Sequence, residues 1–176
     1  MALFHFSEDP SIACFHARPV AARPDSEPMV WAIDEEHAPH YYLPRDCPRV
    51  ICWPGERSTA EDMERFFAHS QARCIMATES GWLDRVRQAQ IYRYTLPEET
   101  FTVQDGSAGY YVSRESVTPI EVAPVGELLE AICGAGIELR LTPSLWPMRH
   151  AVVNSSLEFS IIRMRNAQPE ADFLTS

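Results

Sequence analysis

A chain of 176 residues with 45% hydrophobic and 23% charged side chains is the size of one ordinary domain and has the balance of a globular protein. No apolar run approaches the roughly 20 residues that span a bilayer, and the first ten residues reach Glu8, Asp9 and Pro10 with no basic start, so neither a membrane span nor a secretory signal is expected. A net charge of −10 argues against strong nucleic-acid binding, and since every one of the 15 basic residues is Arg, a Schiff-base lysine, a lysine nucleophile and a P-loop are excluded.

In chain order, Leu3 to Phe6 is a short apolar run that reads as a first strand, and Ser7-Glu8-Asp9-Pro10 turns it into a brief helical turn through Ser11 to Phe15. Three prolines between Arg18 and Pro28 predict a loop, followed by a strand from Met29 to Ile33. Asp34 can cap a short or broken helix running toward Tyr42, interrupted at Pro39. Arg49 to Trp53 is strand-like, and Ser58-Thr59-Ala60-Glu61 has the pattern of a capping box that opens a helix to about His69.

The pattern then predicts a strand over Arg73 to Thr78, a helix over Ser80 to Gln88, and strands over Ile91 to Leu96, Thr100 to Val103, Tyr110 to Ser113 and Val117 to Val122, the turn Asp105-Gly106 among them. Helix is expected from Val125 to Cys133 up to Gly134 and Gly136, then through Ile137 to Leu141, Ser144 to Val153 and Ser156 to Asn166. In the last segment Leu157, Ile161 and Met164 recur at spacings of four and three. Strands grouped in mid-chain and helices grouped at the end predict a single α+β domain, with a split, mostly antiparallel sheet and flanking and C-terminal helices.

There is no GxGxxG and no G-x-S-x-G, so neither a Rossmann dinucleotide site nor a serine-hydrolase elbow is supported. Cys14, Cys47, Cys52, Cys74 and Cys133 are odd in number and contain no C-x-x-C pair, which predicts buried, reduced thiols in a cytoplasmic protein rather than a disulfide framework or zinc ribbon.

The opening Leu3-Phe4-His5-Phe6-Ser7-Glu8-Asp9-Pro10 resembles the signature of a family of uncharacterised bacterial proteins. More distantly, the order of three segments resembles the ADP-ribosyltransferase fold: His5 on the first strand, Val30 to Asp34 leading to His37-Ala38-Pro39-His40-Tyr41-Tyr42, and Tyr110-Tyr111-Val112-Ser113-Arg114-Glu115-Ser116-Val117. That resemblance implies a protein that binds NAD as substrate and cleaves its nicotinamide–ribose bond. His5 and Ser7 would hold the ribose, Tyr41 or Tyr42 would stack on nicotinamide, and Glu115, with Glu121 as competitor, would supply the carboxylate. In the absence of lysine, Arg18 or Arg45 would pair with the pyrophosphate. A carboxylate is needed because the bond breaks through an oxocarbenium-like state with positive charge on the sugar.

Two other readings of the same residues remain open. His37 and His40, flanked by Asp34, Glu35, Glu36 and Asp46, could share a helix face and bind a metal, although H-E-x-x-H is absent. A non-catalytic protein that binds a small-molecule ligand needs only the fold and a pocket.

Overall fold

The computed structural model of the chain describes residues 2–19 and 25–170. The strands in chain order are β1 (Leu3–Ser7), β2 (Val30–Asp34), β3 (Arg49–Trp53), β4 (Cys74–Glu79), β5 (Tyr92–Leu96), β6 (Thr102–Asp105), β7 (Tyr110–Ser113), β8 (Glu121–Pro124), β9 (Ile137–Thr142) and β10 (Glu158–Ile162). The α-helices are α1 (Ala60–Phe67), α2 (Leu83–Gln88), α3 (Leu128–Gly134) and α4 (Trp146–Val153), with 3-10 turns at Ala38–Tyr41, Ser80–Trp82 and Met164–Asn166. The fold is α+β and mostly antiparallel, as the grouping of strands predicts. Among the described residues no helix is long and apolar enough to cross a membrane. The chain divides into two compact units, Met1–Arg45 with Ala89–Ala131, and Asp46–Gln88 with Ile132–Ser176.

The first unit carries an antiparallel sheet in the order β6-β7-β2-β1-β5-β8. Alternation along β1 sends Leu3 and His5 to one face and Phe4 and Phe6 to the other. Leu3 joins a core of Phe15, Val30, Ala32, Tyr94, Leu96 and Val117. Phe4 joins Ile33 and Ala38, with Phe6, Tyr41 and Tyr110 packed against them. The two faces of this sheet therefore bury separate apolar clusters, and β1, near the centre, contributes to both.

The second unit carries the order β10-β3-β4-β9, in which only β4 and β9 are parallel. All six residues of β4 are buried, which fits the near-continuous apolar run Cys74 to Ala77. Its core joins Val50, Cys52, Ile75 and Ala77 to Phe66 and Phe67 of α1 and to Leu145, Val152 and Leu157 around α4. Burial pushes the Cys52 and Cys74 thiols up to about 12, which leaves them inert at neutral pH. Cys47 is buried too, but Cys14 is half-buried and Cys133 is exposed, so the expectation of five buried thiols holds for three.

Several elements depart from expectation. Ile137 to Leu141 and Ser156 to Asn166 are not helical: the first is β9 and the second is β10 followed by a 3-10 turn. Ile137-Glu138-Leu139-Arg140-Leu141 alternates with period two, and Ile161-Ile162 is β-branched, so both segments fit a pleated surface once β4 and β3 offer open edges. Ser11 to Phe15 makes no helical turn. Asp9 Oδ1 accepts from the Ser11 amide and hydroxyl, and Phe15 runs on to bridge Val117 through two backbone bonds of 2.8 Å. The expected loop from Arg18 to Pro28 includes 20–24, which lie outside the described residues. At its rims Arg18 and Met29 bond backbone to backbone.

The capping box of α1 sits one residue later than its sequence pattern suggests. Thr59 is the N-cap, accepting from the Asp62 amide, and the Asp62 carboxylate in turn accepts from the Ser156 amide and hydroxyl, both at 2.7 Å. These bonds from Ser156, with that from Thr59 and the charge of Arg65, hold Asp62 below the usual carboxylate range. A carboxylate lowered on folding adds stability that is present above its unfolded pKa and lost as pH falls through the folded one. The urea midpoint of the wild-type chain is therefore expected to fall faster than that of Asp62→Asn below about pH 4, and parallel curves would contradict the role of this bond network.

Candidate functional site

His5 stands near the middle of the six-stranded sheet, opposite Tyr94 of β5. The β1–β2 ladder is registered only at Leu3↔Asp34 and Phe4↔Ile33, which leaves the Trp31 carbonyl available to a side chain. His5 Nδ1 lies 2.9 Å from that oxygen. A carbonyl can only accept, so Nδ1 carries the proton and Nε2 presents a lone pair. The ring also packs against Phe15, with centroids 4.6 Å apart. Burial pushes the imidazolium below its ordinary pKa, the nearby guanidinium charges of Arg45 and Arg18 push the same way, and the Trp31 bond opposes them. His5 is thus a neutral hydrogen-bond acceptor at pH 7, held at a fixed tautomer beside two cations.

Arg18 is exposed, next to its backbone pairing with Met29, and its guanidinium has no hydrogen-bond or carboxylate partner among the described residues. Arg45 is exposed as well, and its amide donates to Glu8 Oε1 at 3.0 Å. Ser7 follows His5 by two positions and so shares its face of the strand, and its hydroxyl accepts from the Asp9 amide at 3.1 Å. Of the residues singled out in the sequence, Arg45 and Arg18 act on His5 through their charge, and neither bonds to its ring among the described residues.

The tyrosines are not brought to His5. Tyr41 stacks on Phe6 at 6.1 Å with an interplanar angle of 6°, and Tyr42 meets Phe6 edge-on at 5.6 Å. Phe6 alternates with His5 to the opposite face of β1, so the sheet separates the imidazole from the ring proposed to stack beside it. Tyr41 instead shares a hydroxyl–hydroxyl bond of 2.9 Å with Tyr110, which is edge-on to Trp31. Two buried donors on this face, Trp31 Nε1 and Arg93 Nε, have no hydrogen-bond partner among the described residues, although the Arg93 guanidinium lies over the Phe4 ring at 4.9 Å.

Glu115 is exposed in the turn after β7, its amide donating to Ser113 Oγ, and Glu121 is exposed on β8. β7 and β8 each lie two strands from β1, on opposite sides, or about 10 Å in the hydrogen-bonding direction. No described carboxylate bonds to the His5 ring. Arg114, which could neutralise Glu115, is paired with Glu27 instead, with Nη2 donating at 3.0 Å.

His37 and His40 are both buried, with rings 5.4 Å apart. Asp34 Oδ1 accepts from His37 Nδ1 at 2.8 Å and from the His37 amide at 2.9 Å, but the 3-10 turn Ala38–Tyr41 begins after His37, which is its N-cap, so Asp34 does not cap it. Among the described residues no group of three or more His, Cys, Asp or Glu side chains could hold a metal ion.

Two features went unread in the sequence. Glu79 reads as an acidic residue at a helix start but is buried, and Trp146, Arg149 and Arg165 line a common groove. The spacing Trp146 to Arg149, three apart in a helical pattern, was the only sequence signal for the second.

The chain belongs to a family of unknown function, DUF6886, whose model matches residues 4–167. No curated protein and no solved structure matches it.

Proposed function

We propose that this member of the family binds a pyrophosphate dinucleotide of the NAD type through His5, Arg18 and Arg45. The observation that supports the reading is the His5 ring: Nδ1 is spent on a backbone carbonyl, Nε2 makes no hydrogen bond among the described residues, and the charges of Arg45 and Arg18 reach the ring. A neutral imidazole accepts a ribose hydroxyl without repelling the cations beside it, and arginine forks match phosphate oxygens in pairs. Ser7, on the same face, adds a second hydroxyl contact. The resemblance to ADP-ribosyltransferases extends this to cleavage, in which nicotinamide leaves with the bonding electron pair, a water or acceptor hydroxyl forms the new bond to the sugar carbon and gives up its proton, and Glu115 would have to approach the cationic sugar.

A second reading, binding without cleavage, is favoured by one observation: no described carboxylate bonds to His5, and Glu115 is exposed two strands away.

A ligand that binds only the folded state at about ten times its Kd adds about 1.4 kcal/mol, or roughly 3–5 °C in the unfolding midpoint. About 1 mM NAD is expected to produce such a rise in the wild-type chain. The rise should vanish in His5→Ala and shrink in Arg18→Gln. No rise in the wild-type protein would reject the NAD reading. If binding is seen, nicotinamide release that Glu115→Gln abolishes and Glu121→Gln spares would identify a transferase or glycohydrolase, and no release would identify a binding protein.

A further inference from the structure

The second unit contains an open groove of about 570 Å3 lined by Trp146, Arg149, Ile161, Met164, Arg165 and the segment Ala167 to Pro169. That volume is in the range of small-molecule sites. Trp146 begins α4 and Arg149 follows three residues on, which places its guanidinium over the indole at 5.4 Å from the ring centroid. Stacking of this kind fixes the plane of the guanidinium and leaves its N–H fork directed outward. Arg165 comes from the 3-10 turn Met164–Asn166, and Trp146 Nε1 donates to the Gln168 carbonyl at 2.8 Å, tying the last wall of the groove to the helix.

Neither Arg149 nor Arg165 has a carboxylate or hydrogen-bond partner among the described residues, in a chain of net charge −10. The carboxylates nearby in the fold are committed elsewhere: Glu79 accepts from the Leu145 and Gln168 amides, and Glu170 bonds to His150 Nε2 at 2.6 Å. Apart from Gln168, the remaining lining is apolar: Ile161 from β10 with Met164, Ala167 and Pro169. Two cations unpaired among the described residues, beside a mainly apolar lining in a space of ligand size, select one kind of molecule.

We propose that this groove binds a small organic oxyanion with an apolar body, its carboxylate or phosphate held by Arg149 and Arg165 and its body against Ile161, Met164 and Trp146. The proposal does not depend on the NAD reading. Charge-assisted bonds from arginine supply the affinity and the choice of head group, and the apolar lining supplies the choice of body.

The experiment is calorimetric titration of the full chain at low salt with 2-naphthoate, 2-naphthyl phosphate and the uncharged 2-naphthamide. Saturable binding of at least one anion is expected, with the amide weaker by about tenfold or more. Arg149→Gln and Arg165→Gln, checked for an unchanged unfolding midpoint, should each weaken the anion by a similar factor, and Arg18→Gln should leave it unchanged. The order of naphthoate and naphthyl phosphate then tells a carboxylate site from a phosphate site. No saturable binding of either anion, equal binding of the amide, or indifference to both groove variants would overturn the proposal. Weakening by Arg18→Gln alone would assign the anion to the His5 site instead.

Discussion

Glu79→Ala is expected to lower the stability of the chain by about 3–4 kcal/mol. Glu79 ends β4 with a side chain only 2% exposed, and its carboxylate accepts from the Leu145 amide at 3.3 Å and from the Gln168 amide at 3.1 and 3.0 Å. Leu145, itself fully buried, immediately precedes α4, and Gln168 lies in the segment beyond β10, so one side chain clamps two stretches of chain onto the end of β4. Truncation orphans two donors, each costing about 1–3 kcal/mol when desolvated. Both amides donate to Oε1, so Glu79→Gln with its carbonyl oxygen in that place keeps an acceptor for each, and its loss should be no more than about half as large. Urea unfolding reads both, and a loss under about 1 kcal/mol for Glu79→Ala would mean that these amides are satisfied without the carboxylate.

Gly109→Ala is expected to cost about 2–4 kcal/mol. Gly109 has φ of 70°, which an L side chain adopts at a cost of about 1–2 kcal/mol. A Cβ there would also lie 2.3 Å from His37 Nδ1 and 2.6 Å from Asp34 Oδ1, the two atoms that bond to each other at 2.8 Å. Both belong to side chains held in place, His37 being buried and Asp34 also accepting from the His37 amide, so relief requires breaking their bond. Gly126 is the control: its φ is 91°, but nothing lies within 4 Å of an added Cβ, so Gly126→Ala should show the backbone cost alone. Equal losses for the two variants would show that the close approach of Gly109 to the Asp34–His37 pair adds nothing.

The candidate site was legible in part. His5 stands out in sequence as a histidine within an apolar strand, and Arg18 and Arg45 as anion ligands in a chain without lysine. What the sequence does not contain is the face each side chain takes. Tyr41 and Tyr42 follow β2 closely, and their segment is similar to one that stacks a ring beside the first-strand histidine. Yet their contacts run to Phe6, and the pleat of β1 puts Phe6 and His5 on opposite sides. A single residue of register decides such a question, and register is set by the pairing of β1 with β2 and β5, not by local pattern.

By itself, the sequence determined what short-range physics controls. Short apolar runs marked β1, β3 and β4, and alternation of aromatic and polar residues marked β5. The pattern Ser58-Thr59-Ala60-Glu61 marked the start of α1 to within one residue, and the absence of lysine closed off whole classes of chemistry. Tertiary structure decided the rest, wherever two local outcomes were close in energy or where the partner was remote. Leu157, Ile161 and Met164 satisfy a helical spacing, but Ser156 to Asn166 became β10 and a turn because β3 offered five registered positions on its open edge. Glu79, between the predicted strand and helix, carries no sequence signal of burial, and it is buried because amides from Leu145 and Gln168, 66 and 89 residues away, need an acceptor. A backbone group's demand for a partner is felt only after the chain has brought that partner near, so no local pattern records it.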